Sequence, residues 1–310
     1  MIPERVLAPF AETSFRNGLV IGVVALVIGG AVAAAWRSRT GRPCPVAGLV
    51  VAAAGALAVV QADVSVQGLV PGLLALAIGG CIVDVVPRLR PALPLLALPG
   101  AWLLATGIDV SQSWAPLAVG VVVAGGGALA ADFDARWLAR PLGPGLLVAS
   151  LGGVFLTVPE TAEALPVLGA AVPLALIGWP GNLASLGAGG SLAATGLLAW
   201  TVAQGGTFRD TAIVGGLACL GMLVAEPLGR MARPNRQGRR LPRPVGVLVA
   251  VVAAHVVVVL LASRVAGLGD DLVASLGMAG LALAAGTAAS LAVRAVATRP
   301  RPTTEPGATV

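Results

Sequence analysis

The sequence contains no lysine and no tyrosine, and it has a single histidine, His255. Charged residues make up only 11% of its 310 residues, whereas hydrophobic residues make up 57%. This scarcity of charge excludes an ordinary water-soluble globular protein, whose surface needs far more polar groups. The three cysteines have no CxxC or other metal-ligand spacing, so we interpret them as small packing residues.

Several catalytic signatures are also absent from the sequence. It contains no GxxxxGK[ST] phosphate-binding loop, no GxSxG and no HExxH. Glycine is nevertheless abundant, with 42 residues, and most of its pairs and triplets, such as Gly125–Gly127 and Gly189–Gly190, fall inside long apolar stretches. We expect these glycines to let helix backbones approach closely, as they do in membrane proteins.

Long apolar stretches recur along the chain, and eleven of them approach the roughly 20 residues that a helix needs to cross a bilayer. Sixteen of the twenty arginines lie in alternate gaps between them, while Arg5, Arg16, Arg209 and Arg264 lie in the other gaps. By the positive-inside rule, this alternation predicts an N-terminus outside and a C-terminus in the cytoplasm. The predicted spans are 17–36, 44–62, 66–86, 92–108, 113–131, 144–158, 164–179, 183–203, 211–229, 244–263 and 271–293.

The sequence therefore predicts an all-α polytopic bundle of about eleven transmembrane helices in a bacterial plasma membrane. Residues 1–16 form a short extracytoplasmic segment, residues 17–296 a single transmembrane domain, and residues 297–310 a disordered cytoplasmic tail. The net charge of +6 does not indicate nucleic-acid binding, because the arginines flank predicted spans. Topology and anionic headgroups explain them, so membrane lipids are the expected partners.

Four acidic residues gather at the predicted cytoplasmic ends of spans, and arginines follow each group. Asp84 ends the third span, Asp132 and Asp134 end the fifth, and Glu226 lies near the end of the ninth. Because Mg²⁺ prefers carboxylate oxygens and substrate phosphates, one interpretation is a shared metal and phosphate site. In the alternative interpretation each acid pairs with a nearby arginine, as Asp84 would with Arg88, and anchors a helix end.

The order of these motifs resembles the polyprenyl-phosphate sugar-1-phosphate transferases. The segment Gly79–Leu89 is similar to the Asp-Asp motif of that family, with Val85 in place of the second aspartate. Ala131–Asp134 takes the place of the family's Asn/Asp/Gly motif, and Glu226–Arg230 that of its late basic loop. The asparagine, the glycines and the histidines of those motifs are missing.

This resemblance implies a cytoplasmic site for a lipid carrier such as polyprenyl phosphate, with Mg²⁺ as the cofactor. It implies that Asp84, Asp132 and Asp134 bind metal or phosphate. Because the motifs are incomplete, we expect a non-catalytic or weakly catalytic relative; an active enzyme would be a Mg²⁺-dependent phosphoglycosyl transferase. The arginines that would hold the anionic headgroup are Arg88, Arg90, Arg136, Arg230 and Arg233.

His255 lies in the middle of the tenth predicted span, among valines and alanines. An ionisable residue within a membrane helix is a functional candidate by default, so one alternative is a small-solute or lipid transporter with His255 in its pathway. A neutral imidazole hydrogen-bonded to a neighbouring helix is the structural interpretation of the same residue. A structural subunit of a membrane complex is a third alternative for the whole protein.

Overall fold

The structure, a computed structural model, describes residues 12–40, 44, 47–60, 67–108, 113–128, 131, 152–154, 164–178, 186–205, 210–219, 244–269 and 271–297. Within these ranges all regular structure is helical and no strand is present. The prediction of an all-α fold is confirmed for this part of the chain.

Each α-helix of the described ranges coincides with one predicted apolar stretch. The sixth stretch, 144–158, lies outside the described residues except for three helical residues, 152–154. The 3₁₀ helix Pro87–Ala92 joins α3 to α4, and α5 continues into the π-helical turn Val122–Gly126. The α-helices are α1 (Thr13–Thr40), α2 (Ala47–Val60), α3 (Leu69–Val85), α4 (Leu93–Thr106), α5 (Ala115–Val121), α6 (Ala164–Gly178), α7 (Gly187–Gly205), α8 (Asp210–Cys219), α9 (Pro244–Ala266) and α10 (Leu272–Ala297).

Two helical stretches of the described residues are long and apolar enough to cross a membrane. They are Thr13–Thr40, which is α1, and Pro87–Thr106, which combines the 3₁₀ helix with α4. Shorter apolar helical segments of 10–17 residues, such as Leu69–Val85 and Asp210–Cys219, accompany them. Length and composition are therefore consistent with a membrane protein and identify two candidate crossings.

The helices are apolar on their exposed faces as well as on their buried faces. On α3, Leu73 and Leu76 are fully buried, while Ile78 and Ile82 are 54% and 43% exposed. On α4 the indole of Trp102 is 71% exposed. A helix at the surface of a soluble protein carries polar residues on its outer face, whereas a helix that is apolar all round belongs in a core or in lipid.

Helix α7 lies at the centre of the bundle. All residues from 188 to 203 are buried, and they pack against α2, α3 and the α5 region. The hydroxyls of Thr195 and Thr201 donate hydrogen bonds of 2.8 Å to the carbonyls of Ser191 and Leu197, four residues earlier. A central helix of this kind needs protein partners for its ends, because the first N–H groups of a helix have no partner within it.

Contacts between α1 and α6 fix the relative direction of these two helices. Gly18 of α1 lies against Pro166 of α6, and Gly22, one turn later, lies against Ala170. The residue numbers increase together along both helices. Helices α1 and α6 therefore run parallel, with glycine allowing the backbones into direct contact.

Helices α3 and α7 run in opposite directions. Gly80, near the end of α3, lies against Gly189 at the start of α7. Leu76, one turn earlier on α3, lies against Gly196, which is further along α7. The C-terminal end of α3 and the N-terminal end of α7 therefore meet at the same face of the bundle.

Candidate functional site at the junction of α3 and α7

The last turn of α3 carries Asp84, the first of the predicted site residues. Helix α3 ends at Val85, and Val86 leaves the helical conformation with φ −118° and ψ 81°. The chain then enters the 3₁₀ helix, whose first residue, Pro87, has no N–H to continue the α-helix. The break holds Asp84 at the rim of the bundle, facing the start of α7.

The carboxylate of Asp84 accepts hydrogen bonds from the backbone at the beginning of α7. The N–H of Ala188 lies 2.9 Å from both Oδ1 and Oδ2, and the N–H of Gly189 lies 3.3 Å from Oδ2. These N–H groups have no acceptor inside α7, and the positive end of the helix dipole favours a carboxylate there. Asp84 therefore caps α7 across a separation of 104 residues in the chain.

Glycines make this long-range cap sterically feasible. Gly187 has a φ of +63°, a left-handed conformation that other residues avoid, and a methyl group placed on it would lie 2.5 Å from Asp84 Oδ2. A methyl group on Gly80 would collide with the backbone of Gly189. The approach of α3 to α7 thus requires the absence of side chains on both helices.

Two arginines of the 3₁₀ helix stand beside this junction. Arg88 and Arg90 are both exposed, and Arg90 attracts the Asp84 carboxylate electrostatically. Arg88 makes no ion pair or side-chain hydrogen bond within the described residues. Within the described residues, the Asp84 carboxylate is therefore bound by the backbone of α7 and not by Arg88.

Only part of the predicted site falls within the described residues. Asp84, Arg88, Arg90 and His255 are described, and Asp132, Asp134, Arg136, Arg230 and Arg233 lie outside the described ranges. The shared carboxylate site thus stays a prediction. Within the described ranges, no three His, Cys, Asp or Glu side chains are arranged to hold a metal ion.

His255 is fully buried in α9, as its position within an apolar span predicts. The next two residues, Val256 and Val257, are each 49% exposed, so His255 is on the inner face of α9. That helix packs between α8 and α10. Burial agrees with both interpretations of the imidazole, so its role in a transport pathway stays a prediction.

The sequence did not reveal that Asp84 binds the backbone at the start of α7. A capping side chain is normally found immediately before a helix, and the residue before α7 is Leu186, which has no polar side chain. A central helix that begins without a local cap is the one available signal that a distant residue caps it. The glycine-rich start of α7 carries no information about which residue that is.

No protein-family model matches this chain, and no curated protein matches it. Its class therefore rests on the fold and on the junction itself. The part of the chain that the structure describes is all-α, with two candidate membrane crossings and a half-buried aspartate that caps a central helix beside a basic turn.

Proposed function

We propose that this protein is a multi-pass plasma-membrane protein that binds an anionic lipid carrier, such as a polyprenyl phosphate, at its cytoplasmic face. In this proposal it is a non-catalytic relative of the lipid-phosphate sugar-1-phosphate transferases. The observation that carries the proposal is the exposed basic turn at Arg88 and Arg90, beside a carboxylate already engaged by backbone N–H groups.

The exposed apolar surface supports a membrane location. Leucine, isoleucine, valine and tryptophan side chains on α1, α3 and α4 are exposed. Contact of so much apolar surface with water is unfavourable. In a bilayer these side chains would contact acyl chains. Lipid contact is the simplest account of helices that lack a polar face.

The helix directions support the predicted topology of eleven crossings. In that topology α1 is the first crossing and α6 the seventh, so both run from outside to inside, in agreement with their parallel contact. Helices α2 to α5 supply four crossings between α1 and α6. Because α1 and α6 run in the same direction, an odd number of crossings must separate them, and the predicted stretch 144–158 would supply the fifth.

The antiparallel contact of α3 and α7 fits the same scheme, in which they are the third and eighth crossings. Their meeting ends then lie on the cytoplasmic side, together with Arg88 and Arg90. The last turn of α1 adds the exposed Arg37 and Arg39 on that side. Arginine forms bidentate hydrogen bonds with phosphate, so this face is suited to anionic headgroups.

The engagement of Asp84 favours binding over metal-dependent chemistry. A Mg²⁺ ion would have to share the Asp84 carboxylate with the N–H groups of α7, which already occupy most of its lone pairs. The residue that follows Asp84 in the resembling motif is Val85, which offers no second carboxylate. We therefore assign Asp84 a structural role and the arginines the contact with the lipid.

Labelling of single cysteines with a membrane-impermeant maleimide tests the topology. The exposed residues Arg88 and Leu268 would each be replaced by cysteine in a chain without native cysteines. We expect Arg88→Cys to react only in inside-out vesicles and Leu268→Cys only in right-side-out vesicles. Reaction of both variants from the same side would contradict the proposal.

Lipid analysis of a deletion strain tests the function. We expect deletion to change the levels of polyprenyl phosphates or of lipid-linked sugars, with the change reversed by a wild-type copy. A copy carrying Arg88→Gln and Arg90→Gln, expressed at the same level, should fail to reverse it. An unchanged lipid profile in the deletion strain would remove the proposed function.

A structural subunit is the second candidate, because of the outer face of α10. Four small residues at helical spacing are exposed there: Gly277, Gly280, Ala284 and Ala288. Faces of this composition allow close helix contact in membranes. Co-purification of a stoichiometric membrane partner that is lost in Gly280→Leu would favour this candidate.

A further inference from the structure

We infer that the π-helical turn Val122–Gly126, in the middle of the fifth predicted span, is a rotational switch at which the end of this helix changes its register. The inference does not depend on the proposed function. It is drawn from the burial pattern of the helix, the hydrogen bonding at the end of the turn and the glycines on either side of it.

The burial pattern shows what the π turn does for the helix. Buried residues recur at every fourth position along α5 and beyond the turn: Ala115, Val119, Val123, Gly127 and Ala131. From Ala115 to Gly127 a regular α-helix would turn about 120° beyond whole turns, because each residue adds about 100°. A π turn holds one more residue between its hydrogen-bonded groups, so the helix turns more slowly there and one face stays buried.

This buried face follows α7 toward the junction with α3. Ala115 belongs to the same cluster of buried side chains as Val202, whereas Gly127 lies against Leu192. The residue numbers fall along α7 as they rise along α5, so the two helices run in opposite directions. The end of the fifth helix at Ala131 therefore lies toward the capped start of α7.

The hydrogen bonding at the end of the turn combines two registers. The N–H of Gly127 donates to the carbonyl oxygens of both Val122 and Val123, which are five and four residues earlier. The first hydrogen bond belongs to a π-helix and the second to an α-helix. Because one N–H group is already shared between the two carbonyls, a small displacement exchanges one register for the other.

The packing around the turn leaves room for this exchange. Gly125 is exposed on the outer side, and a methyl group there would meet no other part of the described residues within 4 Å. On the inner side, Gly126 and Gly127 have no side chains to interlock with α7. Ala131 holds the observed register with the burial of a single methyl group.

Exchange to the α register rotates the part of the helix that follows the turn. That part would gain the rotation of one residue, about 100°, which moves Ala131 from its buried position toward the outside of the bundle. The helix before Val122 keeps its place. The exchange thus changes the surface of the bundle beside the capped start of α7.

The reactivity of a cysteine at position 131 measures the exchange. Ala131→Cys would be placed in a chain without native cysteines and treated with a water-soluble maleimide in nanodiscs. We expect it to react at about 0.1–10% of the rate of the exposed Arg88→Cys, because a minor conformation is populated to that extent. The control Val83→Cys, buried in α3 near the same face, should react at least about tenfold more slowly than Ala131→Cys, since no such exchange exposes it.

Deletion of Gly125 removes the switch and keeps the two flanking faces in register. With one residue fewer, a regular α-helix places Ala131 in its buried position, so Ala131→Cys should react at least about tenfold more slowly than with the natural turn. Gly125→Ala is the matched control because it keeps the number of residues. Its cysteine at position 131 should react within about threefold of the natural rate, since alanine favours both helical registers.

Equal protection of Ala131→Cys and Val83→Cys would show that the π turn is fixed and would overturn the inference. Equal reactivity at position 131 with and without Gly125 would do the same, because another motion would then expose this residue. Deletion of Gly125 should leave the melting temperature, followed by tryptophan fluorescence, within a few degrees. A fall of more than about 10 °C would show that the fold requires the π turn and that it is not exchangeable. None of these outcomes depends on whether the protein binds a lipid carrier.

Discussion

Helices α7 and α10 both begin at an aspartate carboxylate, but the two carboxylates come from very different places in the chain. At α10, Oδ1 of Asp271 accepts the N–H groups of Val273 and Ala274, each at 3.1 Å, from the residue immediately before the helix. At α7, Asp84 performs the same task from 104 residues away. The chemistry is the same, and the consequences for the fold are different.

A local cap stabilises only its own helix, whereas the cap of α7 also joins two helices. Asp271 is exposed, and a methyl group added to Gly277 or Gly280 on the following turns would meet no other part of the described residues within 4 Å. Asp84 is half-buried, with Gly80 and Gly189 in backbone contact beside it. Loss of the α7 cap should therefore weaken the contact between α3 and α7 as well as the end of α7.

The largest expected effect comes from filling the contact between these helices. Gly80→Leu should lower the free energy of unfolding by about 3 kcal/mol, because the new side chain collides with the backbone of Gly189. Gly280→Leu, on the open face of α10, should change it by less than about 1 kcal/mol. Thermal unfolding followed by tryptophan fluorescence in detergent measures both, and similar losses would contradict the difference between the two regions.

Removal of each capping carboxylate should have the next largest effect. Asp84→Ala should cost about 2 kcal/mol, since hydrogen bonds to a charged acceptor are lost at a half-buried position. Asp271→Ala should cost about 1 kcal/mol, as expected for an exposed N-cap. The same unfolding measurement compares them, and a cost of Asp84→Ala at or below that of Asp271→Ala would show that the long-range cap adds no stability.

The smallest expected effect is the difference between alanine substitutions at two left-handed glycines. It distinguishes the free-energy cost of the backbone conformation from the cost of contact with Asp84. Gly187 and Gly269 both have left-handed φ values, +63° and +79°. Among the described residues, a methyl group on Gly187 would meet the Asp84 carboxylate, whereas one on Gly269 would meet nothing within 4 Å. Alanine at either position should cost about 1 kcal/mol for the conformation. Gly187→Ala should cost about 1 kcal/mol more because the methyl group displaces the carboxylate. Equal costs for the two variants would exclude a steric contribution from Asp84.

The helices and the local cap of α10 were accessible from the sequence for a physical reason. Burial or lipid contact requires long apolar stretches, so the positions of the helices follow from hydropathy alone, and Asp271 directly precedes its helix. The candidate site was accessible in part, since Asp84, Arg88 and Arg90 were all selected as site residues. Their proximity to one another follows from their positions in the chain.

The rest of the junction depends on information that a single sequence does not contain. Which two of several glycine-rich helices pack together is decided by three-dimensional fit, and Gly80 has the same appearance in the sequence as Gly280. The sequence also gives no indication that Gly187 has a left-handed φ. The structure gives Asp84 a different role from the predicted one. Its partners are the backbone N–H groups of Ala188 and Gly189, and backbone groups have no sequence signature.

The separation between Asp84 and α7 has a consequence for biogenesis. The chain is synthesised from its N-terminus, so the ribosome delivers Asp84 well before Ala188, which lies 104 residues further along. Until then Asp84 has no helix end to cap, and the hydrogen bonds that join α3 to α7 can form only once Ala188 and Gly189 are in place. A nascent chain stalled before Gly187 would lack this junction.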